Sequence, residues 1–268
     1  MHAAAYLSTS SARLRLEAAV GGRCDLVFAS TWSEIDQLIR RVPVEVAIID
    51  PVRSESVEVA AVERLRAYYP SLSVVLYMSF APDLANALLR LGAVGVHSAV
   101  FFDHGDTPLA LSRALDEAVG SSASEQMLLR IFEGMDLESD EILHAFRQAL
   151  QNVDRIRTAL EWSKFHGASH RSFYRLFQSH GLPTPKTCLL WLRLMYAARL
   201  LEDPGYSLYD VVHRLGYSAP SNFWQHVQDT LGLKASELRY AVGFEILLTR
   251  FLSQHAAAAE SLPKGSAG

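Results

Sequence analysis

Two cysteines in 268 residues, Cys24 and Cys188, fall in different expected domains. They argue against a disulfide framework and for a reducing compartment, so the cytoplasm is the expected location. Long apolar runs are also missing. Asp83 and Arg90 interrupt the most hydrophobic stretch, which falls short of the roughly 18 residues a membrane span needs, and a membrane is not an expected partner. The N-terminus lacks a basic-then-apolar layout, so a secretory leader is not expected either. Catalytic signatures are equally scarce: there is no glycine-rich phosphate loop, no serine elbow and no metal-ligand cluster. The ten histidines are scattered, and His166 and His170 read as helix-end or surface residues. An enzyme, a bound metal and a cofactor are therefore not expected.

What is present is apolar and globular. Hydrophobic residues make up 50% of the chain and mean hydropathy is +0.10, enough for packed cores in one to three domains. The net charge of −4 hides an asymmetry. Residues 1–150 carry 12 basic and 20 acidic side chains, a net of −8, whereas residues 155–240 carry 11 and 6, a net of +5. Only the later segment suits contact with a polyanion.

From Ala12 to Val119 short β-branched runs alternate with amphipathic stretches. Strands are expected at Asp25–Ala29, Val44–Ile49, Ser73-Val74-Val75-Leu76-Tyr77 and Gly95-Val96-His97, with an N-terminal strand near Ala4-Ala5-Tyr6-Leu7. Helices are expected over about 11–20, 32–41, 56–68, 82–91 and 107–119. This alternation predicts a flavodoxin-like α/β domain, a parallel sheet with helices on both faces. Its order and lengths resemble the receiver domain of response regulators, with Asp50 at the end of the central strand. The resemblance makes Asp50 a possible phosphoacceptor and Ser79 the accompanying hydroxyl. The acidic pair that would hold Mg²⁺ is missing, however, and Ala99-Val100 stands where a lysine-proline is usual, so the domain reads as a pseudo-receiver. The competing reading of Asp50 is a cap on the turn before Pro51.

Further on, two helix-turn-helix patterns flank one long helix. In the first, Gly167 permits a turn, Ser169 can cap the next helix, and Phe173, Leu176 and Phe177 form an inward stripe. Arg171, Ser172, Tyr174, Arg175 and Gln178 are its candidates for DNA contact. In the second, Gly216 turns, Ser218 caps, Pro220 starts the helix, and Phe223, Val227 and Leu231 point inward. Ser221, Asn222, Trp224 and Gln225 are the matching candidates. For Tyr174 and Trp224, helix packing is the competing role. The helix over 185–203 would span about 28 Å at about 1.5 Å per residue. Successive major grooves on one DNA face lie about 34 Å apart, so one strut could serve two adjacent grooves.

These residues resemble the AraC/XylS-type transcriptional regulators. The run comprises Ser169, Arg175-Leu176-Phe177, Gly181, Arg193-Leu194, Ala197-Ala198-Arg199-Leu200-Leu201, Ser207-Leu208, Leu215-Gly216-Tyr217, Ser221-Asn222-Phe223, Gly232 and Glu237-Leu238-Arg239. Relative to that family Ser163 replaces a usual alanine, Val227 a phenylalanine, and Lys234-Ala235 a serine-proline. Gln225, Gln228 and Asp229 stand where basic residues are common, which predicts a weak grip on phosphate by the second unit.

The expected organisation is a pseudo-receiver over 1–120, a connector helix over 121–138, an all-α DNA-binding domain with two helix-turn-helix units over 139–240, and a C-terminal helix and disordered tail over 241–268. The resemblance implies a sequence-specific regulator of transcription with two recognition helices in adjacent major grooves. Its partners would be double-stranded DNA, a second copy of the chain and, as an open option, RNA polymerase. Two alternatives stand beside it: a phosphorylation-switched response regulator acting through Asp50, and a protein-binding adaptor that reuses the helix-turn-helix scaffold.

Overall fold

A computed structural model describes residues 2–53, 56–80, 84–96, 98–102, 104–119 and 121–255. The expected tail over 256–268 lies outside them. The chain divides into two compact units, Met1–Ala123 with Asp203–Ser207, and Ser124–Glu202 with Leu208–Gly268.

In the first unit five strands form one parallel sheet: β1 (His2–Tyr6), β2 (Asp25–Ala29), β3 (Val44–Ile49), β6 (Ser73–Met78) and β7 (Ser98–Phe101), in the order β2-β1-β3-β6-β7. A two-stranded ribbon, β4 (Val52–Arg53) with β5 (Ser56–Val57), follows β3. Four helices connect the strands, α1 (Ser10–Val20), α2 (Trp32–Arg41), α3 (Val59–Tyr68) and α4 (Leu84–Ala93), and α5 (Pro108–Ala118) follows the last one. Alternate strand residues serve two cores. Ala4, Tyr6, Ala47, Ile49, Leu76 and Met78 pack with α2, α3 and α4, while Ala3, Ala5, Val46, Ile48, Val75 and Tyr77 pack with α1 and α5. Central strands buried on both faces explain why they read as continuous apolar runs. The order is that of a doubly wound, receiver-like fold whose switch point lies between β1 and β3.

Two sequence expectations shift. The last strand is not Gly95-Val96-His97 but Ser98–Phe101: Gly95 adopts φ 84° in the turn closing α4, and His97 lies outside the described residues. The helix expected from 56 begins at Val59, because the backbone of Ser56 and Val57 is used by the ribbon.

At the switch point Asp50 is only 1% exposed. Its Oδ2 accepts from the Ser8 hydroxyl, and its Oδ1 accepts from Val52 N at 3.1 Å, closing a turn over Pro51. Ser8 thus occupies the loop after β1 in which a metal-holding acidic pair would stand. Ala99-Val100 is part of β7 itself, and that strand ends on Phe101, which stacks on the exposed Phe80 at 4.8 Å, with His104 edge-on to Phe80 at 4.9 Å. No group of three or more His, Cys, Asp or Glu among the described residues could hold a metal ion.

The second unit is all helical: α6 (Ser121–Met135), α7 (Asp140–Gln151), α8 (Ala159–Phe165), α9 (His170–Ser179), α10 (Pro185–Glu202), α11 (Leu208–Arg214), α12 (Pro220–Leu231), a π-type turn over Leu238–Val242, and α13 (Gly243–His255). α10 is its axis. Thirteen of its residues are buried, from Pro185 to Leu201, because α7, α8, α9, α11 and α13 surround it. α6 joins the same core: Phe132 meets Phe146 edge-on, Gln126 accepts from Arg199 at 2.6 Å, and Gly134 lies against Leu252. Among the described residues no helix is long and apolar enough to cross a membrane.

Candidate nucleic-acid interface

The first helix-turn-helix is built from a capped helix, a glycine turn and a second capped helix. Thr158 opens α8, its side chain accepting from Glu161 N at 3.1 Å while Glu161 accepts from Thr158 N at 2.9 Å. Burial alone would raise the Glu161 carboxyl, but hydrogen bonds from the Arg157 and Thr158 backbone and the Thr158 hydroxyl outweigh it and hold the carboxyl below its ordinary value. Gly167 takes φ 76°, and Ser169 then caps α9 by accepting from Ser172 N at 3.1 Å. Trp162 anchors the pair. Its indole donates to Ala145 O at 2.9 Å, and Phe173 and Phe177 meet it edge-on at 5.3 and 5.2 Å.

With Phe173 and Phe177 inward, the opposite face of α9 is fixed. Arg171, Ser172, Arg175 and Gln178 are all exposed, with the two arginines four residues apart on one face. Three other arginines of this unit are in ion pairs: Arg130 with Glu245, Arg147 with Glu125 and Arg199 with Glu202. Arg171 and Arg175 have no ion pair among the described residues. Ser172 is tied to Ser169 Oγ at 2.9 Å, and Tyr174 is half-buried with its ring 4.5 Å from that of His170. Leu176, expected inward, is half-buried, since the 100° turn per residue carries it to the edge of the stripe.

The second unit repeats the design with different chemistry. Gly216 takes φ 68° in the turn, where a Cβ would sit 2.6 Å from Asp154 O. The cap of α12 is Ala219, with no side-chain bond, rather than the expected Ser218. Ser218 instead accepts from the Asn222 amide at 3.0 Å, and Pro220 takes the first helical position, where no N–H is needed. Phe223 and Val227 are buried, but Leu231 is half-buried. Ser221, Asn222, Trp224 and Gln225 are exposed, Trp224 to 52%. Ser221, Trp224 and Gln225 border a cleft of about 550 Å³, closed on its other side by Leu233 and Lys234. Burial, with Arg193 nearby, holds the His226 imidazole below its ordinary value.

The residue that the sequence did not single out is Arg193. It stands on α10 at 5% exposure, and its guanidinium donates to Val153 O, to Ile156 O at 3.2 Å and to Leu215 O at 2.7 Å, 4.8 Å above the Tyr217 ring. One side chain therefore links the segment before α8 to the turn before α12. Its signal was one of two cations, with Arg199, in the otherwise apolar stretch from Cys188 to Leu201.

Residues 162–241 match the family model described as "Helix-turn-helix domain". That segment is a helix-turn-helix domain. No curated protein matches the chain. Among solved structures, full-length FixJ from B. japonicum is similar at 13% identity with a TM-score of 0.38, over 81% of this chain and 98% of that one. The matched segment begins at Trp162, inside α8, and ends within the π-type turn after α12, so both helix-turn-helix units lie in it almost whole.

Proposed function

We propose that this protein is a sequence-specific DNA-binding regulator of transcription whose α9 and α12 enter successive major grooves. Arg171, Ser172, Arg175 and Gln178 contact DNA from the first unit, with Tyr174 at the edge of that face, and Ser221, Asn222, Trp224 and Gln225 contact it from the second. The observation that carries this reading is the pair of exposed, unpaired arginines on the outer face of α9 within the matched segment. α10, about 27 Å long at about 1.5 Å per residue, provides the spacing. In this reading the α/β unit contributes assembly rather than phosphoryl transfer, because Asp50 is buried and already holds Ser8 and Val52. The exposed Leu89 and Leu109 on α4 and α5 suit pairing of two copies in the cytoplasm, with RNA polymerase as a further partner to test.

The test is binding of the full chain to genomic fragments across a salt series. If Arg175 reads a base edge, Arg175→Ala costs about 1–3 kcal/mol and changes preference at one position. If it touches only phosphate, all sequences weaken alike and the salt slope falls by about one. Absence of any sequence preference overturns the regulator reading.

A further inference from the structure

α12 presents Ser221, Asn222, Trp224, Gln225, His226 and Gln228 outward without one lysine or arginine, and Asp229 completes the row. A carboxylate beside a phosphate backbone weakens binding, so Asp229 needs another role to fit a DNA-reading helix. Its partner supplies one. The Gln225 amide nitrogen donates to Asp229 Oδ1 at 2.6 Å, across the four-residue spacing that brings side chains of one helix face together.

The chemistry of that bond decides which way the amide points. An ionised carboxylate only accepts, so the NH₂ end of Gln225 must face Asp229, which leaves the carbonyl oxygen and the second N–H outward. One acceptor and one donor on a single planar group match the N6 donor and N7 acceptor of adenine in the major groove. Space is available on this side, since Gln225 borders the cleft walled by Trp224, Gln228 and Lys234. The neighbouring Asn222 is tied to the Ser218 hydroxyl at 3.0 Å, but a hydroxyl both donates and accepts, so that bond does not fix the Asn222 amide.

We propose that Asp229 is a positioning residue that holds the Gln225 amide for bidentate reading of one adenine, so that the second unit supplies discrimination and the first supplies attraction to phosphate. This inference rests on the DNA-binding function argued above.

The experiment uses the full chain, a duplex it enriches from a random-sequence pool, versions of that duplex changed at each position, and an unrelated duplex. Gln225→Ala should lose about 5- to 150-fold of the preference for adenine at one position, the equivalent of a lost bidentate contact. Asp229→Ala should lose preference at the same position, while its affinity for the unrelated duplex stays level or rises because a negative charge is gone. Asp229→Asn puts a group that both donates and accepts beside Gln225, so it no longer fixes the amide and should lose preference at that position while gaining affinity for every duplex. The double variant Gln225→Ala plus Asp229→Ala should discriminate no worse than Gln225→Ala alone. Circular dichroism checks that these exposed substitutions leave the fold intact. An Asp229→Ala chain that tightens on all duplexes alike with its preference unchanged, or a Gln225→Ala chain with no loss at any adenine, overturns the proposal. A wild-type chain that enriches no sequence overturns the DNA-reading function itself, and that outcome is visible before any variant is made.

Discussion

Arg175 and Asn222 are both exposed helix residues, yet only one carries charge, and under the proposed function that difference predicts an unequal division of affinity. Arg171→Ala plus Arg175→Ala should weaken binding to every duplex and flatten the salt dependence by about two units, whereas Asn222→Ala plus Gln225→Ala should leave the salt slope in place. Equal slopes for the two double variants would refute the division. At Asp50 the expectation is silence: incubation with Mg²⁺ and a small phosphodonor leaves the mass unchanged, because the carboxylate is buried under Ser8. A phosphoryl adduct mapped to Asp50 together with tighter DNA binding would make the first unit a working receiver. The capping box makes a further expectation. Thr158→Ala should cost about 1 kcal/mol of the second unit's stability in denaturant unfolding. Because the folded Glu161 carboxyl lies below its ordinary value, its contribution is present at neutral pH and disappears as pH falls through that lowered value. Glu161→Gln should flatten this acid limb, and an unchanged limb would assign the acid sensitivity elsewhere.

Glycine turns and alternating runs made most elements legible, and the exceptions have identifiable causes. Asp25–Ala29, Val44–Ile49 and Trp32–Arg41 were readable to the residue, because alternation in the edge strand, an apolar run in the central strand buried on both faces and a clear helical stripe are each unambiguous. Gly95-Val96 mimicked a strand start, but a glycine at φ 84° belongs to the turn, and three residues further on the edge strand begins. The ribbon after β3 was invisible since two-residue strands carry no periodicity. In the candidate interface the outward faces of α9 and α12 were legible from their inward aromatics. The clamp of Arg193 on three carbonyls was not, because backbone acceptors 22 to 40 residues away leave no mark in a side-chain pattern. Gly216 gives the sharpest element-scale prediction. A methyl there adds left-handed strain to a clash with the Asp154 carbonyl, so Gly216→Ala should lower stability by about 1–3 kcal/mol and disturb α12 more than α9 in amide exchange. Equal protection in both helices would show that the turn adapts.

At the scale of the whole molecule, the core of the helical unit extends beyond the segment from 139 to 240. Phe251 meets Trp191 at 5.7 Å, and α6 contributes the buried Met127, Leu128 and Ile131. A fragment over 124–255 should therefore unfold cooperatively, while one over 139–240 should melt earlier or aggregate, with differential scanning calorimetry as the measurement. Arg193 has a consequence that reaches past the protein. It fastens the segment before α8 to the turn before α12 through neutral carbonyls. If the two units read DNA as proposed, that clamp makes them one stiff gauge, and their two half-sites must keep a constant separation and a constant helical phase. Inserting about five base pairs between them turns one half-site to the far side of the duplex, whereas about ten restores the phase but not the distance.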